Sequence, residues 1–122
     1  MLNFAYLDAL EDDQSSARDS ERQIYQKALD LINEAECGEA SIGARSEAIH
    51  FNIRMWSFFM EDLARPDNAC AAEFKAGFIS VGIFVLKRLQ AMRNDPKLDF
   101  TAVKEINETI LAGLGRENEN LS

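Results

Sequence analysis

The chain has 122 residues, a net charge of −8 and a pI near 4.6, with 47% hydrophobic and 28% charged residues. That length fits one domain, and so acidic a chain is a poor unaided binder of phosphate backbones, which need lysine and arginine to displace counterions. With only two prolines and six glycines, long helices are expected rather than a turn-rich β protein.

The charge is uneven. Residues 1–40 carry ten acids and three bases, whereas residues 41–122 carry eleven acids and ten bases. The two cysteines, Cys37 and Cys70, follow no ligand or redox spacing and are read as free thiols. The start of the chain lacks the basic flank and apolar run of a secretory signal. The longest apolar stretch, Ala76 to Leu86, is eleven residues between Lys75 and Lys87. A bilayer span needs about 20, so a cytoplasmic protein without a membrane segment is expected.

Residues 1–14 begin apolar, with Leu2, Phe4, Tyr6, Leu7 and Leu10, and end acidic at Glu11, Asp12 and Asp13. They read as a short helical turn or an extended arm that docks on the body. A first long helix is expected from Ser15 or Ser16, with Ser16-x-x-Asp19 as a loose capping box, to a stop at Gly38. Ile24, Ala28, Leu31, Ile32 and Ala35 form its apolar stripe.

A second helix is expected from Gly43 to Ala64. Ile49, Ile53, Trp56, Met60 and Leu63 make one apolar stripe, and Ala48, Phe51, Met55, Phe58 and Phe59 make another beside it. A helix apolar on most sides is central or shared with a partner. Pro66 ends it, and Asp67 or Asn68 is the expected cap of the next helix.

The third helix is expected from Cys70 to Arg93, with Phe74, Phe78, Val81, Val85, Leu89 and Met92 forming one apolar stripe and Ile79, Ile83 and Leu86 widening it. Gly77 and Gly82 each cost a helix about 1 kcal/mol against alanine, and they permit the close approach of another helix. Asn94–Asp95–Pro96 reads as a turn. A fourth helix is expected from Asp99 or Phe100, with Val103, Ile106, Ile110, Leu111 and Leu114 inward, ending at Gly113 and Gly115 before a polar tail over 116–122. The fold class is therefore all-α, a single bundle-like domain over 1–122 of about four helices.

Catalytic chemistry is sparse. His50 is the single histidine and lacks a nucleophile or ligand pattern around it. Glu61 and Asp62 diverge by about 100° on a helix, so they make no shared acid–base site. The glycines match neither a dinucleotide nor a phosphate-loop motif. No enzymatic activity, cofactor or metal is expected. Four helices cannot cover two such apolar surfaces, so part of that area is expected to meet a partner or another copy. The candidate partner-binding residues are Phe51, Arg54, Met55, Trp56, Phe59, Phe78 and Ile83, a set rich in the aromatic, Met and Arg types enriched at interfaces.

Five blocks carry a resemblance: Phe4-x-Tyr6 with Glu11–Asp12; Arg18-x-x-Glu21–Arg22; Phe51–Asn52-x-x-Met55–Trp56; Glu61–Asp62–Leu63–Ala64-x-Pro66-x-Asn68; and Ile79–Ser80–Val81–Gly82–Ile83. In this order they cover most of residues 4–114, and the chain resembles the flagellar biosynthesis regulator FlaF family of alphaproteobacteria. The resemblance implies a small cytoplasmic helical protein, not an enzyme, needed for flagellin synthesis and secretion alongside FlbT, a post-transcriptional repressor of flagellin. It supplies no catalytic or binding position.

Two functions fit that expectation. One is a flagellin-binding export chaperone whose apolar groove captures a disordered terminal segment of flagellin in helix-in-groove fashion. The alternative is a post-transcriptional regulator of flagellin mRNA acting with FlbT. Lys87, Arg88, Arg93 and Lys97 are its one candidate basic patch, and the charge balance speaks against direct nucleic-acid contact. A homodimer on the second or third helix is compatible with either.

Overall fold

A computed structural model describes residues 14–38 and 41–121, with side chains over 19–38 and 41–113. The expected packing of Phe4 and Tyr6, the inward position of Leu114 and the character of the 116–122 side chains lie outside these residues. The described residues form four helices and no strand: α1 (Gln14–Glu36), α2 (Ile42–Ala64), α3 (Ala72–Asn94) and α4 (Thr101–Leu121).

The ends are set by local hydrogen bonding. Ser41 caps α2 by accepting the Ala44 N–H on its Oγ at 3.1 Å, and Arg65, in extended conformation before Pro66, closes it. Ser16, expected near a cap, lies inside α1. Asn68 does not cap α3. Its Oδ1 accepts the Cys70 N–H at 2.9 Å, a local turn that delays the helix until Ala71, which offers no side-chain cap. Asp99 Oδ1 accepts the Thr101 N–H at 3.1 Å at the start of α4. That bond, with Arg88 nearby, holds the Asp99 carboxyl below the usual carboxylate range. α4 does not stop at Gly113 and Gly115 but continues to Leu121. No described glycine takes a positive φ, so these two act as ordinary helical residues.

Consecutive helices run antiparallel. Lys104 Nζ at the start of α4 pairs with Glu36 Oε1 at the end of α1, 3.5 Å away. Arg45, in the first turns of α2, donates through Nη2 to the Met92 carbonyl at 3.0 Å and the Asp95 carbonyl at 3.1 Å. The α1–α2 and α3–α4 connections therefore share one end of the bundle, and the α2–α3 connection occupies the other.

The core joins Ile24, Tyr25, Ala28 and Ile32 of α1 to Ile49, Met55, Trp56 and Phe59 of α2, with Val85, Leu89 and Met92 of α3 and Phe100 and Val103 at α4. α2 is the central helix, which explains its two apolar stripes. It lies against α1 on one side and α3 on the other, and α4 lies against α1. The α2–α3 crossing is close because Gly82 has no Cβ. A Cβ there would overlap Met60 Sδ and lie 2.9 Å from its Cγ. The backbones of α3 and α4 make the sparsest contact of the neighbouring pairs.

Candidate functional site

A chain of hydrogen bonds crosses the core between α2 and α4. Trp56 Nε1 donates to Asn107 Oδ1 at 3.0 Å, Asn107 Nδ2 donates to Asn52 Oδ1 at 2.8 Å, and Asn52 Nδ2 donates to the Ala48 carbonyl at 2.8 Å. All three side chains are fully buried. The direction of the chain is forced. An indole can only donate and a carbonyl can only accept, so each amide between them has a single workable orientation. This fixes the faces that α2 and α4 turn toward each other, because a rotation of either helix would strand a buried donor.

An aromatic series begins at the surface and ends in this network. Phe74 lies 6.0 Å from Phe78 between ring centroids, and Phe78 stacks on Trp56 at 5.0 Å. Trp56 meets Tyr25 edge-on at 6.1 Å, and Tyr25 stacks on Phe59 at 5.5 Å. Among the described residues the buried Tyr25 hydroxyl has no hydrogen-bond partner. Burial, with Glu21 adding to it, pushes its pKa far above the usual phenol value.

Of the expected partner-binding residues, Phe51, Met55, Trp56 and Phe59 are buried in the core. They cannot line a surface of the closed bundle, because α2 spends its apolar excess on α1, α3 and the Asn107 contact. Phe78 is half-buried, Arg54 is exposed on α2, and Ile83 is 46% exposed on α3. The structure therefore brings none of these α2 aromatics to the surface beside Ile83, and among the described residues the exposed large hydrophobic side chains lie on α3 except for Ile42 at the start of α2. Phe74 is 55% exposed, Val81 39% and Phe84 52%.

Phe74, Val81 and Arg88 are spaced by seven and so share one edge of α3. Arg88 Nη2 donates to the Asp99 carbonyl at 3.2 Å, so the C-terminal end of this edge lies on the side of the turn that leads into α4. On α4, Lys104 turns toward Glu36 of α1, and Ile106, Ile110 and Gly113 lie along the opposite edge, toward α3. Ile106 and Ile110 are only partly buried, and the space beside Gly113 is open. The two edges bound an apolar groove away from the α3–α4 turn, with Phe78 on Trp56 at its floor.

Sequence reasoning missed Asn107 and the α4 side of this groove. The signal was present: an asparagine four residues after Val103 on an otherwise apolar face, in a chain whose one tryptophan needs a buried acceptor.

Among the described residues no cluster of three or more His, Cys, Asp or Glu could hold a metal ion. Cys37 and Cys70 are exposed free thiols, and His50 is exposed on α2. No described helix is long and apolar enough to cross a membrane. Compared with known families, the chain matches the one described as Flagellar protein FlaF over residues 2–114. No curated protein and no solved structure matches it.

Proposed function

The chain belongs to the FlaF family of flagellar proteins, and on that premise we propose that it is a cytoplasmic, non-enzymatic flagellin-binding export chaperone. It holds a terminal segment of flagellin as an amphipathic helix in the α3–α4 groove. This function requires the ends of flagellin to be disordered, amphipathic helical segments before assembly, as the flagellin family implies. Such a segment gains helix only when an apolar face supports it. The observation that carries the reading is the exposed edge of Phe74 and Val81 opposite Ile106 and Ile110. A single amphipathic helix fits between two such edges in the helix-in-groove mode. Masking that segment would stop premature polymerisation and couple flagellin synthesis to export.

Calorimetry with flagellin from the same organism, intact and lacking either terminus, tests this. Binding lost with one terminus, and weakened at least tenfold by Phe74→Ser with Val81→Ser, is the expected result. Both side chains are exposed, so the pair leaves the core intact. No heat with any form of flagellin would overturn the reading. The alternative, regulation of flagellin mRNA with FlbT, would then gain support if FlbT and flagellin leader RNA formed a complex only with this protein present.

A further inference from the structure

The outer face of α3 is a second surface, separate from the groove. Glu73, Ala76, Gly77, Ser80, Ile83, Phe84 and Lys87 recur at three- and four-residue steps and form one face of the helix. Glu73, Ala76, Gly77, Ser80 and Lys87 are exposed, as are both large members, Ile83 and Phe84. The centre of this face is therefore small and flat, its large side chains lie to one side of the centre, and its two charges are of opposite sign at opposite ends. A Cβ at Gly77 would meet nothing within 4 Å, so the space over it is open. Among the described residues neither Glu73 nor Lys87 forms an ion pair.

We propose that this face is the contact for a second copy of the chain, in an antiparallel α3–α3 pair whose two-fold axis passes Ser80. The sequence is self-complementary about that residue. In this register Ala76 of one copy faces the second copy's Ile83, Gly77 faces its Phe84, and Glu73 faces its Lys87 across the middle of the contact, each pairing occurring twice by symmetry. Small residues at the centre let the helices approach closely, and each large side chain meets a gap rather than another large side chain. A parallel pair would instead set Phe84 against Phe84 and Lys87 against Lys87. A foreign helix could supply matching gaps and charges, but here both halves of every match lie on this one helix, as an isologous two-fold contact requires. The contact leaves the edge of Phe74 and Val81 to the groove, so it stands independently of flagellin binding.

Sedimentation equilibrium on the full chain tests the pairing. The wild type is expected to be in monomer–dimer equilibrium. Glu73→Lys and Lys87→Glu, each alone, set like charges against each other at two places and are expected to weaken the dimer roughly tenfold. The double variant carrying both changes restores opposite charges and is expected to recover most of that loss. A monomer at every concentration would overturn the proposal. So would a dimer indifferent to the single reversals, or one that the double variant fails to rescue. Far-UV circular dichroism of each variant separates loss of pairing from loss of fold.

Discussion

Trp56 and Asn107 sit 51 positions apart in sequence, yet the indole N–H of one donates to the amide oxygen of the other at 3.0 Å in the middle of the bundle. Removing Asn107 leaves two buried groups without partners, the indole N–H and Asn52 Oδ1. Each such group costs about 1–3 kcal/mol. Asn107→Leu is therefore expected to destabilise the fold by about 2–5 kcal/mol in urea unfolding followed by Trp56 fluorescence. Asn52→Leu alone orphans the Asn107 amide. In the Asn107→Leu background it instead removes a group already orphaned, so the two changes are expected to be non-additive by about 1–2 kcal/mol. Additive costs would show that the network contributes no more than its parts.

Gly82 and Gly77 are five residues apart on α3, and the same substitution has opposite expected signs at them. Alanine is worth about 1 kcal/mol over glycine in a helix interior. Within one copy nothing opposes that gain at Gly77, so at concentrations where the chain is monomeric Gly77→Ala is expected to raise stability. At Gly82 the new methyl collides with Met60, and forcing extra volume into a packed contact costs about 1–3 kcal/mol. Gly82→Ala is expected to lower stability, and in a Met60→Ala background the sign should reverse. Thermal or urea unfolding of the four variants checks this, and a stabilising Gly82→Ala in the native background would mean that the α2–α3 crossing relaxes freely.

Tyr25 is expected to make the protein sensitive to alkali. In the unfolded chain its hydroxyl ionises near pH 10, whereas burial keeps it protonated in the fold well beyond that. Above about pH 10 the unfolded state therefore holds fewer protons than the folded one, and stability falls as pH rises. Tyr25→Phe removes this slope. It also removes a buried hydroxyl that has no partner among the described residues, so at neutral pH it is expected to stabilise the fold by about 1 kcal/mol. Denaturant unfolding of both proteins at neutral pH and above pH 10 checks both effects. Parallel pH profiles for the two would place the alkaline sensitivity elsewhere.

Much of the fold is legible in the sequence because its signals are local. The step pattern Ile49, Ile53, Trp56, Met60 and Leu63 announces α2, and Pro66 ends it. The end of α4 is not legible in the same way, because glycine only permits a stop, and Gly113 and Gly115 remain in helical conformation. The site was harder to read because periodicity shows that a face is apolar but not what covers it. Phe51, Met55 and Phe59 look as available as Phe74 and Phe84 in sequence. They differ only because α2 lies between two helices while the N-terminal half of α3 has α2 on one side and a gap toward α4 on the other. The Asn52–Asn107 pairing spans 55 residues, a distance over which no local pattern carries information.

Arg45 ties the start of α2 to the far end of α3. Its Nη2 reaches two carbonyls, of Met92 and Asp95, where α3 ends and has run out of its own donors. Its guanidinium also lies 5.7 Å from the centre of the buried Phe100 ring, which leads into α4. One side chain thus joins three helices at the end where the groove is closed. Arg45→Ala loses a charged donor to two carbonyls and the cation–ring contact, together worth about 1.5–4 kcal/mol. Arg45→Lys keeps the charge, but an ammonium lacks the flat guanidinium face that lies over the ring and is expected to recover only part of the loss. Hydrogen exchange gives the decisive readout: in Arg45→Ala the amides of the last turn of α3 and the first turn of α4 are expected to lose protection before those around Trp56. Uniform loss across the bundle would mean that Arg45 supports the fold as a whole rather than this junction.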